Sequence, residues 1–110
     1  MPAHDFHENI DILIIGKKFP YVHDSIDSFA KEIGPNHRDH FHNDDGVAMI
    51  FYQSGDICAA WSAYYHMCLD RVNDDVGPSS CIAEFLRRYW SGEIPPFNPS
   101  QIPPSLEEYD

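Results

Sequence analysis

Positive charge is scarce in this chain. Seven Lys and Arg stand against eighteen Asp and Glu, a formal net charge of -11 over 110 residues. A field of that sign repels polyphosphate, so nucleic-acid binding unaided by a metal is not expected. Cysteine is scarce too. Cys58, Cys68 and Cys81 make an odd number with no C-x-x-C pair, which argues against a disulfide framework or a thiolate zinc finger and suits a reducing compartment. Long apolar runs are missing as well. The one strongly apolar run near the N-terminus, Ile12 to Ile15, is far too short to cross a bilayer. It follows acids and histidines instead of the basic start of a signal peptide. The expectation is a cytoplasmic protein with no membrane partner.

What is present suffices for one folded unit. With 43% hydrophobic and 14% aromatic residues, a chain of this length can bury enough apolar surface to offset its conformational entropy in a single core. Phe6, Ile10, Leu13 and Ile14 recur at helical spacing, although Ile12 to Ile15 alone would equally suit a short buried strand. From Tyr21, the positions Val22, Ile26, Phe29, Ala30 and Ile33 fall on one stripe of period 3.6, closed by Gly34-Pro35. Asn36 suits the cap of a short helical turn beginning at His37. Asp44 or Asp45 caps a helix through Val47, Ile50 and Phe51 that Gly55 closes. Asp56 caps another through Ile57, Ala60, Trp61, Tyr64, Cys68, Leu69 and Val72, with a turn over Asn73 to Pro78. Ser79 or Ser80 opens a last helix with Ile82, Phe85, Leu86 and Tyr89 inward, ended at Gly92. The pattern predicts an all-α fold, a compact orthogonal bundle of four to five helices over residues 1–92.

Residues 93–110 hold Pro95, Pro96, Pro99, Pro103 and Pro104, which exclude a regular element. Ile94, Phe97, Ile102, Leu106 and Tyr109 are spaced along this tail. An extended segment is expected, laid on its own domain, on a second copy in a homodimer, or in the groove of another protein. Phe97 and Ile102, flanked by prolines, are the expected anchors.

The chemistry-bearing residues are histidines with aspartates close by. His23 and Asp27 lie four apart on one helix face, and His66 and Asp70 repeat the relation on the Trp61 helix. Between them come His37, Asp39, His40 and His42. Imidazole and carboxylate suit divalent zinc, manganese or iron, and two helical pairs can clasp an ion across a bundle. His23, His37, His42 and His66 are the candidate metal ligands. Asp27 or Asp70 would orient a metal-bound water for attack on a phosphoester. Ala59, Ser62 and Ala63 beside His66 leave room for another segment to approach. The competing reading is a hydrogen-bonded polar seam, because a chain this rich in His and Asp places some of them four apart by chance. Cys68, two residues from His66, points away from it and belongs to the core.

The stretch from Phe19 through His23 and Asp27, then Gly34-Pro35-Asn36-His37-Arg38 and His42, resembles small helical proteins of bacteria and phages with a His-Arg-His core. That resemblance spans residues 4 to 72 and implies an all-helical fold without naming an activity. A weaker likeness is to HD-type metal phosphohydrolases, whose ligands are a His, a His-Asp dipeptide and a distant Asp. His23-Asp24 would stand for the dipeptide, Asp70 for the last ligand and His7 or His4 for the first. The function expected is therefore divalent-metal binding with hydrolytic activity on phosphoesters. The rival is a non-catalytic acidic interaction or inhibitor protein, of phage type, acting through its surface or tail.

Overall fold

The structure is a computed structural model that describes residues 4–28 and 44–106. Within them the chain forms five α-helices: α1 (His4–Ile10), α2 (Pro20–Asp27), α3 (Asp44–Ser54), α4 (Ile57–Val76) and α5 (Cys81–Ser91). A π turn, Asp11–Ile15, continues α1. No strand occurs among the described residues. The apolar run Ile12 to Ile15 is thus helical and widened. The expected continuation of α2 to Ile33, the stop at Gly34-Pro35 and the turn at His37 lie outside the described residues. No helix among those described is long and apolar enough to cross a membrane.

Helix α4 organises the rest. Asp56 caps it by accepting a 2.9 Å hydrogen bond from the Cys58 amide, which satisfies one of the orphan donors of the first turn. The helix runs to Val76, past the turn expected from Asn73. Asn73, Asp74 and Asp75 are weak helix formers but do not break the ladder, whereas Gly77 adopts a φ of 84° and is followed by Pro78. Every residue from Ala59 to Asp70 is buried. A helix wrapped on all sides needs no polar face, and α4 packs against α1, the π turn, α2, α3 and α5. Its Trp61, Tyr64 and Tyr65 meet Phe85 of α5 in a continuous aromatic core.

The proline-rich segment closes this core from one side. Residues 94–105 form no helix or strand, yet Ile94 and Leu106 are fully buried. The Trp61 indole donates to the Gln101 carbonyl and the Tyr65 hydroxyl to the Pro95 carbonyl, both at 2.8 Å. Asp44, in the first turn of α3, accepts from the Ser105 hydroxyl at 2.6 Å and the Leu106 amide at 2.7 Å. Phe97 packs edge-on against Trp61, but Ile102 is 64% exposed. The apolar residues at the two ends of the segment, Ile94 and Leu106, hold it instead.

Candidate metal centre

The pattern H-x3-D occurs three times in the described chain, at His7/Asp11, His23/Asp27 and His66/Asp70. Each pair sits one helical turn apart, so each presents an imidazole and a carboxylate to the same side. On α4, Ser62 lies one turn before His66 and extends the same face. These faces of α1, α2 and α4 meet in the interior, where His7, His23, His66, Asp11, Asp70 and Ser62 are all buried. One ring nitrogen from each of the three histidines lies within 4.8 Å of one from each of the others.

The pairing crosses between helices. His23 Nε2 is 2.7 Å from Asp11 Oδ2, His66 Nε2 is 3.3 Å from Asp27 Oδ1, and His7 Nε2 is 3.3 Å from Asp70 Oδ1. Each imidazole therefore faces the carboxylate of a different H-x3-D pair, which closes a ring of three. His66 also lies near its own partner, with Nε2 3.4 Å from Asp70 Oδ2. The rings are nearly parallel, with His7 stacked over His66 at a centroid separation of 3.7 Å.

Asp11 ties the cluster to the fold. The π turn carries Asp11 at its start, and the Gly16 amide closes it by bonding the Asp11 carbonyl at 2.9 Å, with Gly16 at a φ of 91° that only glycine adopts without strain. The Asp11 carboxylate then accepts from the Phe19 amide at 3.1 Å and from the Ser62 hydroxyl at 2.7 Å as well as from His23. One side chain so joins the entry to α2, the body of α2 and the middle of α4. An ionised carboxylate only accepts, so His23 Nε2 carries a proton. In the neutral ring this leaves a lone pair on His23 Nδ1, which faces His66 Nδ1 at 2.9 Å.

Burial is the dominant electrostatic influence on two of the rings. It holds the His66 imidazolium at about 3, against the opposing pull of Asp27 and Asp70. It lowers His7 in the same way, against Asp70. Both groups therefore have folded-state values below the ordinary 6.5. Between those values the unfolded chain binds more protons than the folded one, so stability rises with pH across that window and falls on acidification. In metal-free protein the unfolding free energy from urea titration should be constant between about pH 7 and pH 8 and decline below about pH 6.5, by about 1.4 kcal/mol per pH unit for each proton taken up. An unfolding free energy unchanged between about pH 7 and pH 5 would contradict this.

Of the residues singled out by spacing, His23 and His66 meet, and Asp27 and Asp70 stand beside them. His37 and His42 lie outside the described residues, so the centre is argued without them. Ser62 does not merely leave room for another segment, since its hydroxyl is committed to Asp11. Asp24, the acid of the His23-Asp24 dipeptide, is exposed. His7 enters the sequence reading only through the weaker likeness and Asp11 not at all, although the H-x3-D relation they share was there to read. No family model, curated protein or solved structure matches this chain.

Proposed function

We propose that this protein binds a divalent metal ion, zinc, manganese or iron, between His7, His23 and His66. One observation carries the reading: three buried imidazoles from three helices bring their nitrogens within 4.8 Å of one another while each turns Nε2 toward a carboxylate. Metal-bound histidine donates its second nitrogen in this way, which fixes the tautomer and the ring orientation. Three neutral donors leave a coordination position for water, whose pKa the ion lowers toward neutrality. Asp27, with 13% of its side chain exposed, is the least enclosed of the three carboxylates.

The test is metal analysis of protein purified without a histidine tag and dialysed against a buffered zinc, manganese or iron(II) salt. About one ion per chain is expected, together with metal-dependent hydrolysis of bis(p-nitrophenyl) phosphate. A stoichiometric ion with no hydrolysis would make the centre structural. No ion at all would remove the reading.

A further inference from the structure

We infer that the ion is held by the Nδ1 atoms of His7, His23 and His66 alone, and that Asp11, Asp70 and Asp27 stay behind them as positioning residues. This rests on the metal reading above and specifies the class of ion, a nitrogen-preferring divalent transition metal in place of magnesium or calcium. The argument begins at His23, where the 2.7 Å contact with Asp11 occupies Nε2 and directs Nδ1 inward. If His66 uses Nε2 toward Asp27 in the same sense, its Nδ1 is also a lone pair. The two Nδ1 atoms face one another at 2.9 Å, a separation bridged by one shared proton without the ion and by the ion itself once that proton is released.

His7 supplies the independent third part. It is buried, neither of its nitrogens makes a hydrogen bond within the described residues, and its Nε2 is directed to Asp70 at 3.3 Å. A buried imidazole so placed is a donor awaiting an acceptor or a ligand awaiting an ion. With Nε2 facing the Asp70 carboxylate, Nδ1 is the nitrogen left to offer a lone pair. The two nitrogens of His23 and His66 are at the spacing of neighbouring ligands: metal–nitrogen bonds of about 2.0–2.1 Å separate two such atoms by about 2.9 Å at a right angle and about 3.3 Å at the tetrahedral angle. His7, stacked on His66 at a centroid separation of 3.7 Å, would contribute its Nδ1 lone pair to the same ion. The imidazoles bring no charge, and the carboxylates behind them balance the divalent ion through the rings they orient. Three imidazoles and no carboxylate in contact with the ion favour zinc, cobalt or iron(II) over the oxygen-seeking alkaline earths.

The experiment is cobalt(II) titration of the metal-free full chain, read by visible absorption, with X-ray absorption of the loaded protein to count imidazoles. His7→Gln, His23→Gln and His66→Gln should each lower the count by one. Asp11→Asn and Asp70→Asn should keep the count, shift the cobalt absorption band and weaken binding by about 10–100-fold at unchanged helicity. Millimolar magnesium should not displace cobalt from the unmodified protein, a measurement that needs no variant to fold. Displacement by magnesium, or a count that is unchanged in His23→Gln, would overturn the inference while leaving metal binding intact. Absence of any cobalt uptake by the unmodified chain overturns both this inference and the proposed function.

Discussion

Replacing Asp11 with Ala is expected to destabilise the protein by about 3–5 kcal/mol, the range found when one partner of a buried charged network is removed. Three buried donors lose their acceptor at once: His23 Nε2, the Ser62 hydroxyl and the Phe19 amide. A buried donor left unsatisfied costs about 1–3 kcal/mol, and the methyl of alanine offers nothing in exchange. Single domains hold only about 5–15 kcal/mol in total, so the variant should unfold at a far lower denaturant concentration. Asp11→Asn keeps one acceptor oxygen and should lose less. The check is urea unfolding of both variants in chelator, where metal binding does not contribute. A loss below about 1 kcal/mol in Asp11→Ala would show that the carboxylate does not tie the π turn to α2 and α4.

Truncation after Gly92 should lower the melting temperature by at least about 12 °C. Ile94, Leu106 and part of Phe97 leave the core, each a burial of about 1.5–3 kcal/mol when complete. The Trp61 indole and the Tyr65 hydroxyl also lose the carbonyls of Gln101 and Pro95. Against this stands the entropy regained by the freed segment, smaller than usual because its prolines already restrict the backbone. A net loss of about 3–6 kcal/mol remains, and each kilocalorie moves the midpoint of a domain this size by about 4–8 °C. Thermal melting and light scattering of the shortened chain read the two consequences separately. An unchanged melting temperature would show that residues 93–110 do not stabilise the domain.

The all-helical class was legible because its signals are local. Asp56 as a cap, Gly55 and Gly92 as stops, and the 3.6 spacing on α5 each depend on residues a few positions apart. Side-chain capping and left-handed geometry are decided at that range. The same holds for the H-x3-D pairs, which place an imidazole and a carboxylate on one face of any helix. The end of α4 was misplaced because polar residues only weaken a helix, and the contacts that carry it to Val76 come from elsewhere in the fold.

Which pair meets which was decided by tertiary structure alone. Within its own helix His23 has Asp27 at i+4, yet its Nε2 pairs at 2.7 Å with Asp11, twelve positions earlier, at the start of the π turn. A π turn has no sequence signature comparable to a cap, and Asp11 beside an apolar run reads as the polar edge of a strand or helix. The burial of Ser62, His66 and Asp70 likewise follows from α4 being covered on every side, which no single helix can announce. In the tail, composition determined that residues 94–105 form no regular element, since proline removes the donors a ladder needs. That Ile94 and Leu106 are buried while Ile102 stays exposed depended on the path the segment takes across the helices, held by the Trp61 and Tyr65 bonds to its carbonyls.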